Sequence, residues 1–367
     1  MNTTAEATSS SDIPTQLDKV RLGFRSGTLR DVNDRVTQLR QLERFLVEEQ
    51  PAILEALQAD LGKSPTEAYV TEIGFVINEI AHMLKHIEKW TGPRKVSLPM
   101  HQRPGSARVV PEPLGTVLII SPWNYPLQLL LAPLVPAIAA GNTAVLKPSE
   151  IAPATAALVE ARLLDYLDSR VVQVVNGGVE ETTALLAEQW DHIFYTGNGT
   201  VGKIVMRAAA EHLTPVTLEL GGKSPAIVTR TADVTVSARR VAWGKCINAG
   251  QTCVAPDYVL VHESVADQFV ADLGAAITEF YGDNVADSAD YGRIVSDRHF
   301  DRVTGLLDAG GYGEVAFGGY ADRATKYISP TVVTGVDPSS AMMTEEIFGP
   351  ILPVLVYSDL GEAIDFV

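Results

Sequence analysis

The stretch His192-Ile-Phe-Tyr-Thr-Gly-Asn-Gly-Thr-Val-Gly202 runs from a β-branched and aromatic segment through glycines into residues with helical spacing. Strand, tight turn and helix in that order mark a parallel α/β unit, which binds ligands beyond the carboxyl end of its strand. The same texture lies on either side. Short apolar runs occur at Thr116–Ile120, Thr143–Lys147, Val171–Val175 and Val216–Leu220, and the segments Leu127–Ala140, Pro153–Leu167, Glu180–Glu188 and Val201–Leu213 alternate with them. The alternation predicts a doubly wound parallel sheet with both faces covered.

After Gly222 a second alternation begins, with strands at Ala226–Thr229 and Tyr258–His262 and helices over Val234–Ile247 and Val265–Tyr281. We therefore place a domain boundary near Gly221, with N-terminal helices and the doubly wound sheet over 1–220 and a second α/β domain over 221–367. Upstream, Asp31 to about Trp90 reads as helices. One of them opens at Ser64-Pro65-Thr66-Glu67, with a serine cap, proline in the first turn and glutamate placed for a capping box, and stops at Gly92-Pro93. The final residues Leu360–Val367 read as a helix just beginning, so the second domain is expected to be cut short.

A length of 367 residues has room for roughly two domains. The balance of 29 Lys+Arg against 45 Asp+Glu gives a net charge of −16, which repels phosphate backbones and argues against a nucleic-acid partner. The two cysteines, Cys246 and Cys253, build no disulfide framework and suit a reducing cytoplasm. Met1–Asp12 is polar, without the basic and apolar regions of a signal. The most apolar region, Val117–Val145, is cut by Pro122, Pro126, Pro133 and Pro136, so no membrane span is expected.

Gly197-Asn-Gly-Thr-Val-Gly202 is a literal G-x-G-x-x-G, whose usual reading puts a pyrophosphate on the helix N-terminus and a downstream acid, here Glu219, on a ribose. Other strands precede this one, and Glu219 lies in a second glycine-rich motif, Leu218-Glu-Leu-Gly-Gly-Lys-Ser-Pro225. The loop keeps the phosphate role and Glu219 is better used as a general base. Lys147-Pro-Ser-Glu150 offers an ammonium and a carboxylate to two ribose hydroxyls, and equally suits a solvated turn. Asn124, in Ser121-Pro-Trp-Asn-Tyr-Pro126, can donate to an oxyanion or satisfy its own turn. Cys246, in Trp243-Gly-Lys-Cys-Ile247, reads as core, whereas Cys253 follows Gly250 in a non-periodic segment suited to a nucleophile. His82 and His86 share a helix face without a third ligand, so no metal is expected.

Together with Glu345-Glu-Ile-Phe-Gly-Pro350, these motifs resemble the NAD(P)-dependent aldehyde dehydrogenase superfamily, and most closely its class 3 branch, from about Leu22 to the end of the chain. The resemblance implies that Cys253 is the nucleophile, Glu219 the general base and Asn124 the oxyanion donor. It implies that Lys147 and Glu150 face the adenosine ribose. Gly197, Asn198, Gly199, Thr200, Val201 and Gly202 match the cofactor phosphate loop, of which the family pattern keeps only the outer glycines. Glu346 and Phe348 match the pair at the nicotinamide ribose and ring. The implied activity is oxidation of a medium or long aliphatic or an aromatic aldehyde to the acid with NAD, or NADP, through a thiohemiacetal and a thioester on cysteine. Glu219 is then expected to be partly buried. Family members form homodimers with the help of further C-terminal chain, so a homodimer is expected where that part is present. The competing readings are a cofactor-independent thiol esterase or acyltransferase and an inactive truncated scaffold. Glu150, Glu346 and the glycine loop oppose the first, because a cofactor-free enzyme has no use for them.

Overall fold

The computed structural model describes residues 7–9 and 11–367, so the polar run Met1–Asp12 lies partly outside the described residues. The chain divides into two compact units, one of Tyr69–Glu219 with the chain up to Ala56, the other of Leu57–Ala68 with Leu220–Val367.

The N-terminal helices are α1 (Ile13–Arg25), α2 (Val32–Glu48), α3 (Gln50–Leu61), α4 (Pro65–Ala68) and, after a π turn at Tyr69–Ile73, α5 (Gly74–Thr91). An antiparallel hairpin pairs β1 (Arg94–Val96) with β2 (Ala107–Val109). The first unit then alternates through β3 (Thr116–Ile120), α6 (Gln128–Ala139), β4 (Thr143–Lys147), α7 (Pro153–Arg162), β5 (Val172–Val174), α8 (Val179–Ala187), β6 (His192–Thr196), α9 (Gly199–Ala210) and β7 (Val216–Glu219). Its five strands pair in the order β5-β4-β3-β6-β7, all parallel. β3, β4 and β5 are buried at every residue, which is why β3 and β4 carry unbroken apolar runs rather than alternating ones; the polar residue inside β5, Gln173, donates to the Val172 carbonyl at 3.0 Å. The strand order reverses between β3 and β6, the position at which a doubly wound sheet opens a ligand crevice. The loop carrying Asn124 leaves β3, and the glycine loop leaves β6.

The second unit contains β8 (Pro225–Val228), α10 (Val234–Cys246), β9 (Tyr258–His262), α11 (Ala266–Tyr281), α12 (Asp297–Asp308), β10 (Glu314–Phe317), β11 (Ala321–Asp322), β12 (Tyr327–Ile328), β13 (Thr331–Thr334), α13 (Ala341–Thr344), β14 (Ile351–Tyr357) and α14 (Leu360–Phe366). Its main sheet has the order β10-β13-β14-β9-β8, parallel except for β10. Phe269 and Leu273 of α11 and Val303 of α12 are fully buried in a core with Val259, Val333 and Ile351 of this sheet. Among the described residues, no helix is long and apolar enough to cross a membrane.

The first of two local expectations gains a tertiary partner, and the second is corrected. Ser64 caps a helix, its hydroxyl accepting the Glu67 N–H at 3.2 Å. The Glu67 carboxylate accepts the backbone N–H of Asn248 at 2.8 Å, a tertiary partner that the local motif does not record. The continuous helix expected from Ser64 to Trp90 is also interrupted by the π turn, where Glu72 is fully buried. The Glu72 carboxylate accepts the N–H groups of Leu127 and Gln128 at 3.0 and 2.9 Å, so it caps α6 with a charge placed at the positive end of the helix. Glu72→Ala leaves both donors unpaired in the interior and should cost about 2–4 kcal/mol of stability, read from the midpoint of urea unfolding. A loss below about 0.5 kcal/mol, the range of a surface substitution, would show that the cap is not structural.

Candidate active site

Cys253, Glu346 and Phe348 belong to the second unit; Asn124, Lys147, Glu150, the Gly197–Gly202 loop and Glu219 belong to the first. Cys246 ends α10, and the chain then passes through three consecutive left-handed residues: Asn248 (φ 52°), Ala249 (φ 50°) and Gly250 (φ 74°). For the two non-glycine residues this conformation costs about 1 kcal/mol or more each, so surrounding contacts must enforce it. Glycine is required at 250, where a Cβ would strike the Gly349 carbonyl and stand 3.0 Å from that of Lys245. Gln251, wholly buried, supplies much of the enforcement. Its amide donates to the carbonyls of Asn248 and Arg293, both at 3.0 Å, and accepts the Val295 N–H at 3.0 Å. Glu67 holds the Asn248 N–H from α4. The loop delivers Cys253 to a tight turn in which the Ala255 N–H meets the Thr252 carbonyl at 3.0 Å.

The two thiols are thereby separated in character. Cys253 is half-buried and Cys246 is fully buried. Burial pushes the Cys246 thiol up to about 12, so it stays protonated and unreactive.

Glu346 lies against Gly221 and Gly222. Its carboxylate accepts the Gly222 N–H, and a Cβ at Gly221 would collide with Oε2. Its second oxygen, Oε1, is buried without a hydrogen-bond partner. Burial raises its pKa above the ordinary glutamate range. A buried orphan acceptor is the group that a hydroxyl such as that of a cofactor ribose would satisfy. Phe348, two residues on, is held at φ 48°.

In the first unit, Lys147 ends β4, and its buried ammonium donates to Glu150 Oε2 at 2.8 Å and to the Pro148 carbonyl at 2.9 Å. Glu150 keeps nearly half its side-chain surface open, 47%, so a neutralised carboxylate is presented at the carboxyl edge of the sheet. Asn198 caps α9, its side-chain oxygen accepting the Val201 N–H at 3.0 Å, and the Tyr195 hydroxyl donates to the Asn198 carbonyl at 3.2 Å. A Cβ at Gly199 would meet nothing within 4 Å, so the protein itself does not demand the middle glycine. The helix end is open for a phosphate group. Asn124 is buried just beyond β3.

Glu219 is the one predicted residue whose surroundings differ from expectation, because it is exposed rather than partly buried. It ends β7, the edge strand, which has a neighbour on one side only. The strand end is still fixed: the Glu219 carbonyl accepts the Gly197 N–H at 2.9 Å, tying it to the glycine loop.

Residues 2–367 match the sequence pattern of the aldehyde dehydrogenase family. The chain belongs to the aldehyde dehydrogenase family. Its relatives place it on the class 3 branch. Rat aldehyde dehydrogenase family 3 member A2 is 50% identical over 352 residues, 96% of this chain and 72% of the relative. The dimeric NADP-preferring aldehyde dehydrogenase of dog is 46% identical over 357 residues, 97% of this chain and 78% of that enzyme. The substrate-bound structure of Staphylococcus aureus AldH superimposes with a TM-score of 0.94 at 46% identity, covering 97% of this chain and 77% of that one. The chain is accordingly an oxidoreductase that oxidises aldehydes with NAD(P).

Two residues with a clear part in this geometry escape sequence reading. Gln251 stands beside the quoted cysteine, but nothing in one sequence tells a buried amide from a loop glutamine. Glu67 was read by a local capping rule, and its partner is far away in sequence. Alkylation with iodoacetamide between pH 7 and 9 should modify Cys253 alone in the folded protein and both cysteines in urea, counted by mass. Rapid native alkylation of Cys246 would contradict the burial argument.

Proposed function

We propose that this enzyme works by covalent catalysis at Cys253, with Glu219 as the general base and the Asn124 amide as the oxyanion donor. The observation that carries the reading is the contrast between the thiols: one is held at a half-buried turn after a strained, heavily bonded loop, the other is locked in the core. The Cys253 thiolate attacks the aldehyde carbon, forming a C–S bond and an oxyanion, which the Asn124 amide and the Cys253 N–H receive. Bound NAD(P) supplies the acceptor for the hydride that leaves this carbon. Glu219 then takes a proton from water as it attacks the thioester, and the C–S bond breaks to return the thiolate and free the acid. The exposure of Glu219 suits a base that must reach water.

The dinucleotide-binding domain is taken as 1–220 and the catalytic domain as 221–367. Lys147 and Glu150 would hold the adenosine ribose; Gly197, Asn198, Gly199, Thr200, Val201 and Gly202 the phosphates; Glu346 and Phe348 the nicotinamide ribose and ring. The Lys147–Glu150 pair favours NAD, because the free carboxylate oxygen suits a hydroxyl and repels a 2′-phosphate, with NADP as the weaker cofactor. Medium or long aliphatic and aromatic aldehydes are the proposed substrates. We further take the enzyme to be a cytoplasmic homodimer without a nucleic-acid partner; two free thiols, the net charge of −16 and the dimeric state named for the dog relative support this.

Following reduced cofactor with an aldehyde and NAD tests the reading. Cys253→Ala should abolish turnover. Glu219→Gln should leave a burst of reduced cofactor while slowing acid release by about 10²-fold or more. Acid release at the wild-type rate from Glu219→Gln would remove Glu219 from the role of base.

A further inference from the structure

Two charged side chains beside Glu346 have no part in the chemistry above. Lys223 follows Gly221-Gly222, and Asp257 immediately precedes β9. The Lys223 ammonium donates to Asp257 Oδ2 and to the backbone carbonyls of Met342 and Glu345, both at 3.0 Å. Asp257 is buried, and its other oxygen, Oδ1, accepts the Ile347 N–H at 2.9 Å. All three donors of the ammonium and both oxygens of the carboxylate are thus engaged.

The choice of backbone atoms matters. The Glu345 carbonyl belongs to the peptide plane just before the Glu346 Cα, and the Ile347 N–H belongs to the plane just after it. Peptide planes are rigid, so fixing both sets φ and ψ of the residue between them. The ion pair therefore dictates where the Glu346 side chain starts, and the Gly222 N–H together with the missing Cβ of Gly221 dictates where it ends. Arg302 continues the restraint, donating to the Ile347 carbonyl at 2.7 Å, next to the left-handed Phe348. A buried ion pair contributes little to stability compared with apolar residues of the same size. Apolar residues could not bind three backbone atoms of one loop.

We propose that Lys223 and Asp257 are positioning residues for the nicotinamide half of the cofactor, acting through Glu346. The proposal rests on the reading of Glu346 as the ribose carboxylate. It assigns the ion pair to cofactor use and not to the reactivity of the thiol.

The test compares full-length wild type with Lys223→Gln, Glu346→Gln and the double variant. It measures kcat/KM for NAD with a saturating aldehyde and, separately, cofactor-free hydrolysis of 4-nitrophenyl acetate by Cys253. Lys223→Gln should lower kcat/KM for NAD by about 10- to 100-fold, the size of effect a small misplacement produces, and change ester hydrolysis less than about 2-fold. In the Glu346→Gln background the same substitution should cost nothing further, because both act through one contact. Equal losses in the two assays, or losses that add in the double variant, would overturn the proposal. If Lys223→Gln does not fold, Asp257→Asn, which keeps an acceptor for the Ile347 N–H, must show the same split between assays. No effect of Glu346→Gln on kcat/KM would instead overturn the ribose reading and the proposal with it. An effect of Glu346→Gln with none from Lys223→Gln overturns the positioning role alone.

Discussion

The left-handed run at Asn248, Ala249 and Gly250 is the constraint around which the catalytic unit is arranged. A chain does not take this path for its own sake, since L residues resist it and only the third position is glycine. It persists because the Gln251 amide is fully bonded on three sides, the Glu67 carboxylate holds the first amide, and the Gly349 carbonyl fills the space beside the third residue. These partners come from α4, from the segment before α12 and from the loop before β14. The loop can form only when that unit has folded, so the turn that carries Cys253 is assembled by tertiary structure rather than by local sequence.

The same logic governs the residues proposed to hold the cofactor. Buried charges that would be costly alone are paired: the Lys147 ammonium donates to Glu150 and the Pro148 carbonyl, and all three donors of Lys223 are placed, on Asp257 and two loop carbonyls. The exceptions are informative. Glu346 Oε1 has a buried oxygen with nothing to bond, and the end of α9 offers amides beside a glycine that packs against nothing. Groups left unsatisfied by the protein are the ones a ligand would satisfy.

Legibility followed the range of the interactions. β3 and β4 begin and end where the sequence pattern places them, because both faces are buried and the apolar runs 117–120 and 144–146 are bounded by Thr116, Thr143 and Lys147. The helices α6 to α11 were legible to within a few residues for the related reason of periodic burial, whereas α1, α12 and α13 were not read. The short strands from β10 to β13 were not read, since elements of two to four residues carry too little periodicity. The tertiary partner of Glu67 was not legible because a capping rule sees three residues ahead, whereas Asn248 is brought close only by the fold. The exposure of Glu219 depends on β7 being an edge strand, which the strand sequence does not record. Gln251 and Glu72 were invisible because burial, not residue type, gives them their work.

The most direct test of this account is the effect of Glu67→Ala on acyl transfer by Cys253. The substitution lies outside the cysteine loop and removes the acceptor for the Asn248 N–H, a bond to a charged group of the kind that contributes about 1.5–3 kcal/mol. Cofactor-free hydrolysis of 4-nitrophenyl acetate should fall by about 10-fold or more, with the circular dichroism of the folded protein retained. Unchanged hydrolysis would mean that the loop holds its left-handed path unaided, and that the nucleophile does not depend on the contacts described.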